Sequence, residues 1–344
     1  MSSFPSAFLS PFLTSLRTAA SVASTAKDHP DYYNDDPATL LTSSQIEDLS
    51  ISTGASLFSH FEPVLLSAEH SLIIVTCFWA RSKSLDTLNH VLRTLSSRSG
   101  SGGDKKLRVR ICFSSLSVTQ KLFHTRSLSG QPWPPATWAS KLGLAPPSEL
   151  SGLDLEVKSI FVLPFSVMHP KFIIVDGRTV LLPSCNVSWE DWCEGGVQLS
   201  GDIVGQFIRF YNSFWADATT GAAAEPAPAT PLNTFLLTAI THATRSVVIT
   251  TPNLTSPPLI SALLTALRSG VDVTIYTSAR MMLLEQLLTA GTITECWYTS
   301  QELGVAFASR DLAGLVQRQF VRFLTMTGQE EGQQGGRMQV TRVI

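Results

Sequence analysis

The sequence predicts an α/β fold made of two repeated α-β-α halves around mixed sheets, with the second half incomplete. The first observation is a β-α-β unit, in which the apolar strands Ser71–Phe78 and Leu107–Phe113 enclose a predicted helix at Ser84–Leu95. The second is a further copy of this unit, which begins at Ser246. The third is a strand–turn–strand segment within Met168–Ser188, where an Asp-Gly pair follows an apolar run.

The two β-α-β units superpose without gaps when the sequence is shifted by 175 positions. A predicted strand at Val271–Tyr276 completes the second unit. A common register over about twenty residues, with the same order of elements, indicates duplication, because scattered apolar matches would occur in any two such units. The matching pairs include Ser71 with Ser246, Ile74 with Ile249, Leu88 with Leu263, Leu92 with Leu267 and Arg93 with Arg268.

Segments outside these units also carry helical patterns. Apolar residues at helical spacing predict a helix over Gly54–Glu69, and Leu232–Ala243 is expected to be helical as well. Ser43–Leu49 is expected to begin a short helix. Near the N-terminus an apolar stripe would lie on a bilayer or on a neighbouring helix. Its residues are Phe8, Phe12, Leu13 and Leu16.

These elements predict five regions along the chain. Residues 1–53 form an N-terminal extension that is partly flexible, and residues 54–220 form the first half, which carries the candidate site. An Ala/Pro-rich linker at 221–230 leads to the incomplete second half at 231–295. Residues 296–344 form a divergent tail.

The residues able to do chemistry are concentrated in the strand–turn–strand segment. On a strand, His169 and Lys171 point to the same face, because side chains alternate with a period of two. The turn at Asp176 then allows Ser184 and Asn186 to return to the same place. An imidazole that can attack or carry a proton, surrounded by hydrogen-bond donors, suits an anionic phosphate group. Each residue alone has an ordinary structural interpretation, and only the combination favours a site.

This segment resembles the H-x-K-x-x-x-x-D signature of the phospholipase D superfamily. His169, Lys171 and Asp176 occupy its three named positions, and Ser184-Cys185-Asn186 resembles the G-S-x-N element of that family. Pro183 stands where the family normally has Gly. The resemblance implies a phospholipase D-like fold of two α/β halves, each contributing one motif to a single site between them.

Within this superfamily the sequence looks most like bacterial-type cardiolipin synthases. The order of strand, tight turn and helix over 192–217 is similar to theirs, as is the Thr-Pro strand end at Thr251. The resemblance covers roughly residues 55–290. Glu194 falls where the family has an acid that orients the catalytic imidazole.

The resemblance implies a phosphodiesterase or phosphatidyltransferase that acts on phospholipids through a phosphohistidine intermediate. One His attacks phosphorus while a second His protonates the leaving alkoxide. His169, Lys171 and Asp176 would be the catalytic residues, and Lys171, Ser184 and Asn186 would bind the substrate phosphate. Asp176 is expected to brace its turn more than to do chemistry. No metal or other cofactor is expected, and a nuclease of the same superfamily is the alternative activity.

The sequence contains only one such motif. No second H-x-K occurs, and Glu295–Ile344 contains no His. Three explanations remain open: a homodimer that brings two copies of His169 together, a truncated or mis-spliced form of a two-motif enzyme, or a module that binds anionic phosphate or lipid without turnover. The sequence therefore leaves open whether this chain is an active enzyme.

Composition favours a globular protein that lacks the charge of a typical nucleic-acid binder. Hydrophobic residues make up 44% and charged residues 15% of the chain, and the net charge is −2. Nucleic-acid binders usually carry a basic patch, so DNA or RNA is the less favoured partner. The expected partner is a phospholipid or another phosphodiester, met at a membrane surface or in solution.

Cysteine use and hydropathy bear on the compartment. Five cysteines without a C-x-x-C pair fit a reducing environment. No apolar run reaches the roughly 18 residues that a membrane-spanning helix needs. We therefore expect an intracellular protein, cytoplasmic or membrane-associated, while the Ser/Ala/Thr-rich N-terminus leaves a mitochondrial address open.

Overall fold

The described residues of the computed structural model form mixed sheets with helices packed on them. The main sheet has eight strands and a smaller one has three, so the predicted α/β fold class is confirmed. The described residues are 4–22, 33, 35–100, 106–116, 130–162, 166–167, 169–216, 230–251, 254, 256–278, 306, 314–316, 318–319, 322–323 and 338–343.

The longer helices are α1 (Ser6–Val22), α2 (Gly54–Leu66), α3 (Lys83–Gly100), α4 (Ile203–Tyr211), α5 (Pro231–Thr241) and α6 (Pro257–Arg268). The strands are β1 (Ser44–Ser52), β2 (Ser71–Phe78), β3 (Leu107–Ser115), β4 (Gln131–Pro132), β5 (Leu153–Ser159), β6 (Phe161–Val162), β7 (Ser166–Val167), β8 (Phe172–Val175), β9 (Thr179–Pro183), β10 (Glu194–Gly201), β11 (Ser246–Thr250), β12 (Asp272–Ser278) and β13 (Met338–Val343). Short helical turns lie at Pro37–Leu40, Pro135–Thr137, Trp138–Leu142 and Asn212–Ala216. Among the described residues, helices and strands alternate from β1 to β3, and the six strands β5 to β10 then follow one another without a helix between them.

Strand β2 lies in the interior of the main sheet, whose order is β1-β10-β9-β8-β2-β3-β5-β4. It pairs in parallel with β3, as the β-α-β prediction requires, and antiparallel with β8. Leu72 and Ile74 belong to a core formed with α2 and α3. Val75 belongs to a second core, formed with α4. Burial on both faces explains why this strand reads as an unbroken apolar run.

The predicted hairpin is present as β8 and β9. Asp176 and Gly177 form its turn with φ angles of +51° and +64°, and Arg178 N donates to Val175 O at 3.0 Å. Two successive positive φ angles are the mark of a type I′ turn, in which Asp-Gly is a favoured pair. The turn therefore fixes the register that returns β9 beside β8.

The expected short helix at Ser43–Leu49 is wrong, because this segment forms the edge strand β1 paired with β10. A register shift between Ile46 and Asp48 interrupts the alternation of the strand. As a result, the side chains of Ile46 and Leu49, which are three residues apart, are both at least partly buried. In the sequence this spacing resembles that of a helix. Strand β1 lies within the predicted N-terminal extension and belongs to the main sheet, and the boundary at residue 53 stays a prediction.

The apolar stripe near the N-terminus packs on a neighbouring helix, which was one of its two predicted environments. Phe12 and Leu16 of α1 are buried. The rings of Phe8 and Phe12 lie 5.2 and 6.1 Å from the ring of Phe235 in α5. Among the described residues, no helix has both the length and the apolar character needed to cross a bilayer.

The second β-α-β unit is built from β11, α6 and β12, with the two strands in parallel. Its apolar residues form a separate small core, and β13 from the predicted tail pairs antiparallel with β12. Thr230 caps α5 by accepting a hydrogen bond from Asn233 N. The rest of the predicted linker lies outside the described residues, and the division into halves and tail stays a prediction.

The packing of α2 on β10 gives a test of the fold. A Cβ added at Gly196 would lie 2.6 Å from Cζ of the buried Phe61. We expect Gly196→Ala to lower the free energy of unfolding by about 1–3 kcal/mol, because overpacked cores must shift to admit an extra methyl group. Urea unfolding followed by circular dichroism measures the change.

Gly195→Ala is the matched control for this substitution. A Cβ at Gly195 meets no atom within 4 Å, and alanine keeps the backbone N–H of that position. Equal losses of stability in the two variants would contradict the packing described for Gly196.

Candidate active site

One edge of the main sheet gathers the ends of β2, β8, β9 and β10. Strand β8 runs antiparallel to β2 with Phe172 opposite Val75, so the residues before Phe172 lie beside the end of β2. Pro183 of β9 pairs with Gly196 of β10, which brings the end of β9 and the start of β10 to the same edge. The predicted residues gathered at this edge are His169, Lys171, Ser184, Asn186 and Glu194.

His169 and Lys171 are in direct contact, as their alternate positions on an extended chain predict. Lys171 Nζ lies 3.1 Å from His169 Nε2 and donates to the backbone oxygen of His169 at 2.9 Å. An imidazolium has no acceptor atom, so an ammonium can donate to Nε2 only when that nitrogen is unprotonated. In this arrangement Nε2 carries the lone pair that a nucleophile needs.

Ser184 connects the ends of β9 and β10 through its hydroxyl group. Its Oγ donates to the Glu194 carboxylate and accepts from the backbone N–H of Gly195 at 2.9 Å. Burial raises the pKa of Glu194 and outweighs the lowering effects of the Ser184 hydrogen bond and the Lys171 charge. The carboxyl group therefore keeps its proton to a higher pH than an ordinary glutamate does.

Asn186 is oriented by the end of β2. Its Oδ1 accepts from Phe78 N at 3.0 Å and from Thr76 Oγ1 at 3.4 Å. Since the oxygen is occupied, the Nδ2 amino group is the part of this amide that can donate to an anion. Between Asn186 and Ser184 lies Cys185, where burial raises the pKa of the thiol to about 12. That thiol is not a nucleophile near neutral pH, because the thiolate is the reactive form.

Asp176 lies at the opposite end of β8 and does not join the other site residues. Five residues of extended chain separate it from Lys171, which is roughly 17 Å. Its carboxylate accepts from the backbone N–H groups of Glu69, His70 and Ser71 at 2.9, 2.7 and 2.8 Å. In the structure Asp176 braces the hairpin turn against the start of β2, and the catalytic role predicted for it stays a prediction.

An aromatic rim that was not predicted from the sequence lies beside the site. Trp189 and Trp192, on the loop between β9 and β10, are 64% and 47% exposed. The ring of Trp189 packs edge-on against Phe78 at a centroid distance of 5.6 Å. Two tryptophans close to the G-S-x-N-like element are visible in the sequence, but their exposure depends on how the loop leaves the sheet.

The start of helix α2 also reaches this edge and was not predicted to do so. Ser52 of β1 pairs with Glu194, and α2 begins two residues later. Gly54 lies against Cys185, since a Cβ built on it would be 3.1 Å from Cys185 Cβ. Helix N-termini carry partial positive charge, so this approach favours an anion at the site. Among the described residues, no cluster of three or more His, Cys, Asp or Glu side chains is arranged to hold a metal ion.

Comparison with solved structures finds similarity to the phospholipase D family. Nuc from Salmonella typhimurium, described as a phospholipase D family member, is 15% identical with a TM-score of 0.33, over 51% of this chain and 95% of its own. NucT from Helicobacter pylori is 14% identical with a TM-score of 0.33, over 51% and 98%. Phosphatidylserine synthase from Haemophilus influenzae is 12% identical with a TM-score of 0.47, over 71% and 65%.

Phospholipase D family structures are thus among those that this chain resembles, as the motif predicts. No protein-family model matches the sequence, and no curated protein matches it significantly. At identities of 12–15%, such similarities describe the backbone alone. An activity has to be inferred from the site residues.

The brace formed by Asp176 has a measurable effect on stability. Burial raises the pKa of Asp176, but the N–H groups of Ser71, Glu69 and His70 outweigh it and hold the pKa below its ordinary value. We expect Asp176→Asn to lower the free energy of unfolding by about 1–2 kcal/mol at pH 7, because the amide has one acceptor oxygen where the carboxylate has two and accepts weaker hydrogen bonds, in a site that is partly screened. Asn tolerates the positive φ, so the turn itself is kept.

The pH dependence of this difference tests the cause. The contribution of Asp176 is present above the unfolded-state pKa of about 3.9 and is lost as the pH falls through the lower folded-state value. The gap between wild type and Asp176→Asn, measured by urea unfolding, should therefore be full at neutral pH and shrink below about pH 4. Asp202→Asn is the control, since that side chain makes no cap hydrogen bond. A gap independent of pH would contradict a role for the charge.

Proposed function

We propose that this chain is a phospholipase D-type phosphodiesterase or phosphatidyltransferase that acts on phospholipids through a phosphohistidine, with a cardiolipin synthase-like substrate range. The observation that carries the proposal is the contact of Lys171 Nζ with His169 Nε2 at 3.1 Å. A nucleophilic nitrogen beside a cation matches the needs of attack on an anionic phosphorus centre.

The contact between the two side chains defines the first step. The Lys171 ammonium donates a hydrogen bond to the lone pair of His169 Nε2. Lys171 must therefore move away before Nε2 can attack phosphorus. The non-bridging oxygens of a phosphodiester attract the ammonium, and Lys171 moves to them while Nε2 meets phosphorus. Binding of substrate thereby exposes the nucleophile, and the same ammonium stabilises charge on the phosphoryl oxygens.

Further donors surround the position of the phosphoryl group. The Nδ2 group of Asn186 is held in orientation by the contacts of its oxygen with β2. The N-terminus of α2 adds partial positive charge beside Cys185. Preorganised donors of this kind each contribute roughly 3 kcal/mol to transition-state stabilisation.

The rim of the site favours a phospholipid over a nucleic acid. Trp189 and Trp192 are exposed, and tryptophan favours the interface between lipid and water. Glu190 and Asp191 lie between them, and no Lys or Arg occurs in residues 187–194. An acidic rim repels the dense phosphates of DNA or RNA. A zwitterionic membrane surface does not repel this rim electrostatically. The rim therefore supports a membrane-associated enzyme.

The proposed nucleophile gives the first functional test. Wild-type protein mixed with a short-chain phosphatidylcholine and quenched in base should carry a phosphatidyl group on His169, identified by peptide mass spectrometry. His169→Ala should lose the adduct and all turnover, a reduction of at least about 1,000-fold for loss of a covalent nucleophile.

His90→Ala is the control, because His90 is an exposed residue of α3 that pairs with Glu62 at 3.4 Å. It should retain both the adduct and turnover. Absence of any adduct or product from phospholipid, dinucleotide and simple phosphodiesters would overturn the proposed function. Binding without turnover would instead identify a phosphate-binding module, and cleavage of DNA alone would identify a nuclease.

The aromatic rim gives a second test, on membrane binding. Tryptophan fluorescence should shift to shorter wavelength when wild-type protein meets phosphatidylcholine vesicles. The double variant Trp189→Ala/Trp192→Ala should sediment with these vesicles at least about tenfold more weakly, because two exposed indoles contribute more than about 1.4 kcal/mol at an interface.

Leu264→Ala is the control, since Leu264 is 46% exposed but lies on α6, outside the rim. Its vesicle binding should equal that of wild type. A rim variant that still sediments like wild type would show that the tryptophans do not contact the membrane.

A further inference from the structure

The proposed function requires a proton for the leaving oxygen, and the inference about its source rests on that function. One group at this edge of the sheet that can hold and release a proton is the Glu194 carboxyl. Glu194 begins β10 and contacts Ser184, which follows β9. Lys171 is close enough for its charge to act on Glu194.

The hydrogen bonds of Ser184 depend on the protonation state of Glu194. A hydroxyl has one hydrogen and two acceptor sites. With Glu194 ionised, the Ser184 hydrogen points to the carboxylate, and one acceptor site takes the Gly195 N–H. No hydrogen is then left for a substrate oxygen.

Protonation of Glu194 reverses the direction of this hydrogen bond. The carboxylic acid now donates to Ser184 Oγ, which still accepts from Gly195 N–H, so both acceptor sites are filled. The O–H of Ser184 no longer donates to Glu194. It can turn to a substrate oxygen that lies against the hydroxyl. Ser184 can therefore donate to a substrate only when Glu194 carries a proton.

The exposure of the two residues sets the order of contact. Ser184 is exposed, whereas Glu194 at the start of β10 is half-buried. A substrate seated against His169 at this edge meets the hydroxyl before the carboxyl. The serine thus separates the acid from the substrate and connects the two through its single hydrogen.

We infer that Glu194 and Ser184 form a proton relay to the leaving oxygen, the role that a second histidine would otherwise fill. Ser184 touches the substrate, and Glu194 is the proton reservoir behind it. Glu190, Cys185 and Cys193 are the other titratable groups near Glu194, together with Lys171. Burial raises the pKa of Glu194 and so keeps the reservoir filled to a higher pH.

The first step of the reaction then balances within one chain. The Nε2 lone pair of His169 forms the N–P bond as the P–O bond to the leaving group breaks. The leaving oxygen takes the electron pair of that bond and the hydrogen of Ser184. Ser184 takes the proton of Glu194, which is left as a carboxylate.

The second step returns every group to its starting state. Water attacks phosphorus, the N–P bond breaks, and its electron pair returns to His169 Nε2. One proton of the water passes through Ser184 to Glu194, and the remaining O–H stays on the phosphate product. An alcohol in place of water gives transfer to that alcohol by the same movements.

The test uses two substrates with the same phosphatidyl group and different leaving groups. Choline leaves dihexanoyl phosphatidylcholine as an alkoxide that needs a proton, whereas 4-nitrophenolate leaves dihexanoyl phosphatidyl-4-nitrophenol without one. Rapid-quench measurement of the first turnover reports phosphohistidine formation from each substrate.

Glu194→Gln and Ser184→Ala should each slow the first turnover of the choline ester by about 100-fold, a typical contribution of general acid catalysis. Both variants should form the phosphohistidine from the nitrophenyl ester at close to the wild-type rate. The double variant should be no slower than either single one, because the two residues act as one relay. Glu149→Gln, whose partner is Arg93 of α3, should match wild type on both substrates.

The wild-type pH profile supplies a measurement that does not depend on the folding of a variant. First turnover of the choline ester should decline as the pH rises through the elevated pKa of Glu194, and first turnover of the nitrophenyl ester should lack this decline. Identical profiles for the two esters, or equal slowing of both by Glu194→Gln, would overturn the relay while leaving the proposed function intact. A wild-type protein inactive on both esters would overturn the proposed function itself.

Discussion

The antiparallel register between β2 and β8 is the constraint on which the site depends. It places the residues before Phe172 beside the end of β2, where the backbone of Phe78 also holds Asn186. At the other end of the same strand pair, the carboxylate of Asp176 accepts three N–H groups from the segment that enters β2. A slip of one residue would turn Lys171 to the opposite face, so the distant brace protects the geometry of the site.

The electrostatics of the site follow from this placement. Lys171, the N-terminus of α2 and the amino group of Asn186 all favour an anion, and Glu194 is the acid that lies among them. Its burial disfavours ionisation, while Lys171 and Ser184 favour it. The outcome is a carboxyl group whose pKa lies above that of an ordinary glutamate.

The sequence predicts the features that depend on residues adjacent in the chain. The Asp176-Gly177 pair is nearly sufficient to specify a type I′ turn, and β2 is recognisable because both of its faces are buried. Strand β1 is not predicted from the sequence, because its register shift allows Ile46 and Leu49, which stand at helical spacing, to lie on the same face. The aromatic rim, the approach of α2 and the distance of Asp176 from the site depend on tertiary packing, which a local pattern does not contain.

A carboxyl group in place of a second imidazole has a physical cost that the structure addresses. An ordinary glutamate titrates about two pH units below histidine and would be ionised near neutrality, unable to give a proton. Burial acts against this ionisation by raising the pKa of Glu194, and the exposed Ser184 hydroxyl contacts the carboxyl group. His169 precedes β8 and Glu194 begins β10, and both strands pair with β9 through main-chain hydrogen bonds. In the proposed relay the acid comes from the same sheet as the nucleophile, so the reaction would not require a second copy of the motif.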